Sequence, residues 1–246
     1  MRYLVLSDIH ANLEALDAVL ADAASSDCDA TIVLGDLVGY GADPNAVVDR
    51  VRALNPVIVR GNHDKVAAGV ESAAGFNVVA RIAAEWTAEV LTAENRAYVA
   101  ALPPGPRAVS DDVLICHGSP FDEDLYVFDE MEAQHSLEVS GRLLCLFGHT
   151  HVPIIWTRSA AGLDMTPPGS EARRVLTLDP DVRYLVNPGA VGQPRDGDPR
   201  AAYAILEPEA RRLVLYRIAY PVEAAQEKIL NAGLPAVLAR RLAAGR

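Results

Sequence analysis

The fold follows from the segment YLVLSDIHAN, residues 3–12. Its first part, Tyr3 to Leu6, is an apolar run without helical periodicity, which is typical of a strand buried on both faces of a sheet. An acid and an imidazole, Asp8 and His10, follow two residues apart. Because residues i and i+2 of an extended chain point to the same side, we expect both side chains to converge beyond the strand. Alone, the pair predicts either a metal site or a polar turn cap.

The next two strand candidates repeat this arrangement. Residues 31–34 and 56–59 are apolar runs, and segments with helical periodicity separate them from each other and from the first strand. The second run is followed by Asp36, and the third leads into Asn62 and His63. A β-α-β-α-β order predicts a parallel sheet with right-handed crossovers, in which ligands bind beyond the carboxyl ends of the strands. These polar side chains are therefore expected at one edge of the sheet.

Two later apolar runs also end in histidines. Residues 112–116 precede His117, and residues 143–147 precede His149 and His151. Five of the six histidines thus follow predicted strands, which random placement would not produce.

Carboxylate, imidazole and amide oxygen ligands together suit divalent first-row metals. The seven candidates exceed what one ion with open positions needs, so the sequence predicts two ions that share a bridging carboxylate and act on a phosphoryl group. The candidate ligands are Asp8, His10, Asp36, Asn62, His117, His149 and His151.

The composition excludes several classes of protein. The chain has 246 residues, of which 50% are hydrophobic and 22% charged, so it can bury a large core. A net charge of −11 argues against a general nucleic-acid or anionic-membrane binder. No apolar run has the length of a membrane span, and no signal-peptide core precedes the first strand, so we expect a cytoplasmic protein with reduced cysteines.

The remaining segments predict further elements. Residues 65–102 are expected to be helical and to end at the PPGP segment, residues 103–106. Residues 222–243 are expected to form one or two helices. An antiparallel portion is predicted from short strands at residues 175–178, 184–187, 202–206 and 212–220.

The motifs resemble, in order, the five motifs of calcineurin-like metallophosphoesterases. They are Asp8-Ile9-His10, Gly35-Asp36, Gly61-Asn62-His63-Asp64, His117-Gly118 and Gly148-His149-Thr150-His151. The segment NPGAVGQPR, residues 187–195, is similar to one in small bacterial members. The resemblance implies a four-layer α/β/β/α sandwich of two mixed sheets, with a dinuclear site between the sheet edges. We expect this to be a single domain over residues 1–246.

The resemblance also implies a role for each motif residue. The implied ligands are Asp8, His10 and His151 for one metal, Asn62, His117 and His149 for the other, and Asp36 as the bridge. The expected ions are manganese, with iron, zinc, nickel or cobalt as alternatives. His63 would donate to a phosphate oxygen or protonate the leaving alkoxide, and Asp64 would orient its imidazole. The nucleophile would be a hydroxide that bridges the metals.

Three residues near the motifs have two interpretations each. Arg195 either binds a substrate phosphate, as Asn62 is also expected to do, or pairs with Asp196 or Asp198 in a solvated loop. Tyr40 and Tyr126 either stack on a base or pack in their loops.

The motif series predicts hydrolysis of a phosphodiester or phosphomonoester bond in a small phosphate ester. A phosphoprotein phosphatase is disfavoured because the segment LVGYG, residues 37–41, replaces the VDRG continuation of those enzymes, and Asp64 replaces their usual Glu. A metal-free scaffold that binds protein partners is disfavoured because every ligand is present. The acidic charge disfavours a nuclease, and a homo-oligomer remains compatible with the sequence.

Overall fold

A computed structural model describes residues 1–167 and 169–246 and arranges their strands in two six-stranded sheets. The strands are β1 (Tyr3–Leu6), β2 (Ala30–Val33), β3 (Val57–Ile58), β4 (Arg107–Ala108), β5 (Val113–Ile115), β6 (Leu144–Leu146), β7 (Ile154–Ser159), β8 (Gly162–Thr166), β9 (Arg173–Thr177), β10 (Arg183–Asn187), β11 (Ala201–Glu207) and β12 (Arg212–Ile218). The helices are α1 (Leu13–Ala23), α2 (Pro44–Ala53), α3 (Asn62–Ala68), α4 (Val78–Val90), α5 (Ala93–Ala100), α6 (Glu130–Ser140), α7 (Val222–Asn231) and α8 (Ala236–Ala244).

Both sheets are mixed. The first has the order β3-β2-β1-β11-β12-β9, with β1, β2 and β3 parallel and β11 antiparallel to β1. The second has the order β4-β5-β6-β10-β7-β8, with β5, β6 and β10 parallel. The predicted parallel β-α-β-α-β unit is confirmed. Strands β4 and β8 were not predicted.

The layers follow from alternation along the strands. In β1, Val5 packs between the two sheets, whereas Leu4 and Leu6 pack against helices on the outer face. Helix α6 covers the outer face of the second sheet through Ala133 and Leu137. All other helices contribute to the core outside the first sheet. The chain therefore has the expected four-layer α/β/β/α sandwich, which is confirmed.

The first two helices begin after a capping asparagine and at a proline. The Asn12 side chain accepts a hydrogen bond from the Ala15 amide at 3.1 Å and caps α1. Helix α2 begins with Pro44, and the preceding Asp43 makes no capping bond but pairs with Lys228 of α7. Residues 65–102 are mainly helical, as expected. Among the described residues, no helix is both long and apolar enough to cross a bilayer.

Candidate metal centre

The candidate ligands lie on tight loops that follow the strands. Strand β1 ends at Leu6, and Asp8 and His10 have φ angles of 51° and 49°. The side chains therefore converge through left-handed turns. The prediction that they would converge because an extended chain points residues i and i+2 to the same side is wrong. Asp36, His149 and His151 share this conformation, with φ of 54°, 65° and 60°.

Hydrogen bonds between the loops hold this backbone. A left-handed conformation costs a residue other than glycine roughly 1–3 kcal/mol, so it persists only where neighbouring structure stabilises it. The amide of Asp8 donates to the Gly35 carbonyl at 3.1 Å, and the amide of His10 donates to the Asp36 carbonyl at 3.0 Å. The Asp8 carboxylate accepts from the His149 amide at 3.1 Å. The loops after β1, β2 and β6 thus fix one another.

Two buried groups of ligating atoms meet at Asp36. Asp8, His10, Asp36 and His151 form the first, and Asp36, His117 and His149 form the second, with the atoms of each group within 4.8 Å of one another. The Asp36 Oδ2 atom lies 3.4 Å from the Nε2 atoms of both His10 and His117. A single carboxylate oxygen is therefore common to both groups.

The first group has the donor set of a cation site. The Nδ1 atoms of His10 and His151 lie 3.0 Å from the Val38 carbonyl and 2.7 Å from the Gln193 carbonyl. Since a carbonyl only accepts, each Nδ1 must donate, and a neutral ring then has a lone pair on Nε2. Burial lowers the pKa of both rings well below the usual range. Two Nε2 lone pairs therefore face each other at 3.0 Å, an arrangement that a metal ion would satisfy.

The second group has the same construction. His117 donates from Nδ1 to the Leu34 carbonyl at 2.8 Å, and its Nε2 lies 3.2 Å from the Asn62 Oδ1 atom. Burial lowers the pKa of His117, but the Asp36 carboxylate outweighs it and raises the pKa to about 10. The proton then occupies the position that a metal ion would take. Asn62, the first residue of α3, thus lies where an amide ligand is expected.

His149 is oriented by Asp124, a residue outside the five motifs. Its Nε2 atom lies 2.9 Å from the Asp124 carbonyl, so Nδ1 is the atom left to ligate. Burial lowers the pKa of His149 to about 3, and burial raises the pKa of Asp8 to about 6. The Tyr126 ring stacks on His149 with 3.7 Å between ring centroids.

The structure corrects the expected role of Asp64. Its carboxylate accepts hydrogen bonds from the amides of Leu37 and Gly61, each at 2.9 Å, and so fixes the loops around Asp36. Burial raises its pKa to about 7. The expected contact with His63 is not formed: in the described chain the Asp64 oxygens accept only from backbone amides, and the His63 Nδ1 atom has no hydrogen-bond partner.

His63 is held by packing. Its ring lies 4.3 Å from the Tyr40 ring and 4.7 Å from the Phe76 ring, between centroids. Burial lowers its pKa to about 4, so the ring is neutral near pH 7. Gly39, with φ of 90°, faces the His63 Nδ1 atom, and a Cβ atom there would overlap the ring.

Arg195 is directed toward the centre. The alternative prediction, that Arg195 pairs with one of the two following aspartates, is wrong, because Asp196 binds Arg217 and Asp198 binds Arg200. Arg195 donates to the Gln193 side chain at 3.0 Å, and its guanidinium carbon lies 5.7 Å from the centre of the Tyr40 ring. Its side chain therefore lies beside the first group of ligands.

A cluster of ion pairs lies next to the centre and was not predicted from the sequence. Lys65, only 4% exposed, places its Nζ 2.6 Å from Asp124 Oδ2, 2.9 Å from Glu71 Oε2 and 3.2 Å from Glu123 Oε1. Arg60 binds Glu123 through two hydrogen bonds. This cluster, named the Lys65 cluster, fastens residues 121–128 to α3. The acidic residues of the segment 121–128 are visible in the sequence, but no sequence rule pairs them with Lys65.

Comparisons with known proteins agree with this geometry. The family model of the calcineurin-like phosphoesterase superfamily domain matches residues 1–211. A metallophosphoesterase from Sphaerobacter thermophilus is 42% identical, with a TM-score of 0.88 over 100% of this chain and 99% of that one. The uncharacterized protein MJ0912 of Methanocaldococcus jannaschii is 37% identical over 244 residues, which are 98% of this chain and 97% of the relative. The hypothetical protein PH1004 from Pyrococcus horikoshii OT3 has the same fold, with 19% identity and a TM-score of 0.80 over 100% of this chain and 98% of that one.

The matched residues contain all five motifs and the loop that carries Arg195. The two groups of buried His and Asp side chains can bind metal, and the fold is that of the 42% identical metallophosphoesterase. On these grounds the chain belongs to the calcineurin-like phosphoesterase superfamily.

Proposed function

We propose that the protein is a phosphoric ester hydrolase that uses two divalent metal ions held on either side of Asp36. One observation carries the proposal: Asp36 Oδ2 lies 3.4 Å from a ring nitrogen of each ligand group. The proposed ligand sets are Asp8, His10 and His151 for one ion, Asn62, His117 and His149 for the other, and Asp36 for both.

The bound ions would supply Lewis-acid activation of the phosphoryl group and of the attacking water. Manganese is the proposed ion, and the donor set also suits iron, zinc, nickel or cobalt. Arg195 binds a phosphoryl oxygen, since its charge lies beside the first ligand group and neither neighbouring aspartate neutralises it.

His63 acts as a neutral hydrogen-bond donor in this proposal. A ring with a pKa of about 4 carries one N–H near pH 7, which can stabilise the charge that develops on the leaving oxygen. Asp64 acts indirectly, because its carboxylate holds the loops that carry Asp36 and Asn62. The net charge of −11 favours a small phosphate ester over nucleic acid, with a phosphodiester as the first candidate.

The test combines elemental analysis of the purified protein with hydrolysis of bis-p-nitrophenyl phosphate under a series of added metals. We expect bound divalent metal, hydrolysis that manganese supports, and loss of hydrolysis after chelation with recovery on reconstitution. Undiminished hydrolysis after complete removal of metal would contradict the proposal.

A further inference from the structure

A cavity of about 250 Å³ adjoins the candidate metal centre on the side of the second ligand group. Asn62, His63 and His149 form the part of its wall nearest the centre. The cavity thus begins where the leaving oxygen would meet His63. Its outer walls come from the segment between α3 and α4 and from the loop of residues 121–128.

Aromatic rings line this cavity. Phe76 lies against the His63 ring at 4.7 Å, and Tyr126 lies against the His149 ring at 3.7 Å with an angle of 23° between the planes. Tyr126 is 40% exposed, so its ring is partly open to solvent. These rings provide flat apolar surfaces on which another planar group can stack.

The polar part of the lining is acidic. Glu71 and Asp124 contribute carboxylates, and Ser72 and Asn77 contribute neutral polar groups. None of the described lining residues is Lys or Arg. Both carboxylates belong to the Lys65 cluster, in which two cations oppose three carboxylates, so the net charge of the cluster is negative. A second phosphate in the cavity would be repelled, whereas hydroxyl or amino donors would be accepted.

We propose that this cavity binds the leaving group of the ester, and that this group is planar, aromatic and without negative charge. A nucleoside and an aryl alcohol fit this description, whereas a phosphate or polyphosphate leaving group does not. The inference rests on the proposed function. In the reaction, water oxygen bonds to phosphorus, the ester P–O bond breaks, and the leaving oxygen keeps the electron pair and takes one proton of the water.

The first test compares two diesters whose leaving alcohols have similar acidity, dibenzyl phosphate and diethyl phosphate. Because Phe76 also packs on His63, we expect kcat/KM to fall for both esters in Phe76→Ala, and to fall about tenfold further for dibenzyl phosphate, the scale of one aromatic stacking contact. Val78→Ala is the matched control, since Val78 is 62% exposed at the start of α4 and lies outside the cavity lining. An equal fall for both esters would overturn the inference.

The second test measures binding without turnover, by ligand-observed NMR on the metal-loaded protein. Adenosine and benzyl alcohol probe the nucleoside and aryl alternatives, and inorganic pyrophosphate is the anionic comparison. We expect at least one of the two aromatic probes to bind, and its binding to be weaker in Phe76→Ala. The binding of pyrophosphate should be unaffected by that change. Binding of neither aromatic probe, or binding that is the same in Phe76→Ala, would overturn the inference.

The two proposals fail separately. Hydrolysis of bis-p-nitrophenyl phosphate without any effect of Phe76→Ala on selectivity or binding would overturn only the leaving-group assignment. Binding of adenosine that depends on Phe76, in a metal-loaded protein that hydrolyses none of the esters, would overturn the proposed function and support an aromatic ligand site.

Discussion

The candidate metal centre and the wall formed by residues 121–128 are built in different ways. The centre consists of buried side chains on loops that hydrogen-bond to one another, with five candidate ligands in left-handed conformations. The wall consists of partly exposed aromatic rings, Tyr126 at 40% and Phe128 at 60%, on a loop fastened by ion pairs. The centre therefore tolerates little change, whereas the wall contacts the ligands only through His149, by the Asp124 carbonyl and the Tyr126 ring.

Asp36→Ala tests the centre most strongly. We expect hydrolysis of bis-p-nitrophenyl phosphate to be nearly abolished and metal content to fall, because one carboxylate oxygen serves both ligand groups. Metal analysis and rate measurements check this. His135→Ala, an exposed histidine on α6, is the control and should behave like the parent protein. Full activity of Asp36→Ala would remove the shared-carboxylate arrangement.

His63→Ala separates chemistry from metal binding inside the centre. We expect the rate to fall by about 10²–10⁴-fold, the usual contribution of a positioned proton donor. Metal content should stay near that of the parent, because the ring belongs to neither ligand group. If elemental analysis found both metals lost, His63 would have to be reassigned as a ligand.

Lys65→Met tests how the wall acts on the centre. The change leaves Asp124, Glu71 and Glu123 without their shared cation, so we expect a loss of about 2 kcal/mol in the free energy of unfolding. Cleavage of residues 121–128 by protease should become faster. Metal affinity should weaken modestly, because Asp124 also orients His149. Unchanged stability and proteolysis would show that the ion pairs do not fasten the loop.

Arg158→Ala removes an exposed ion pair outside the wall and should have the smallest effect. Arg158 and Glu138 form an ion pair at 2.7 Å, nearly as short as that of Lys65 with Asp124, but their side chains are 41% and 49% exposed. We expect the free energy of unfolding to change much less than in Lys65→Met, since exposed pairs contribute little. Denaturant titration measures it. A loss as large as that of Lys65→Met would mean that burial does not set the strength of these pairs.

The sequence predicted the centre better than the wall, for a physical reason. Asp36 and His117 could be located because buried strands precede them and parallel strands share one edge. The backbone conformation at Asp8 was predicted wrongly, since apolar patterning does not reveal a positive φ after the strand. Asp64 was assigned to its sequence neighbour His63, whereas its partners are the amide of Gly61 and two amides of a loop more than twenty residues away.

The wall depends on contacts that no local pattern encodes. Lys65 meets Glu123 and Asp124 across 58 and 59 residues of chain. The orientation of Arg195 was left open for the same reason, because it depends on Arg217 taking Asp196 as its partner. Such pairings are decided by tertiary structure, after the motif-bearing strands have been placed.

The pairing of His10 with His151 has a consequence for the order of folding events. The two residues are 141 positions apart, on loops that follow different sheets. Closing so long a chain segment costs conformational entropy, and this cost slows the step. The first ligand group is therefore completed only when both sheets have assembled. Metal uptake during refolding should therefore lag behind the formation of secondary structure, and its rate would report the final docking of the sheets.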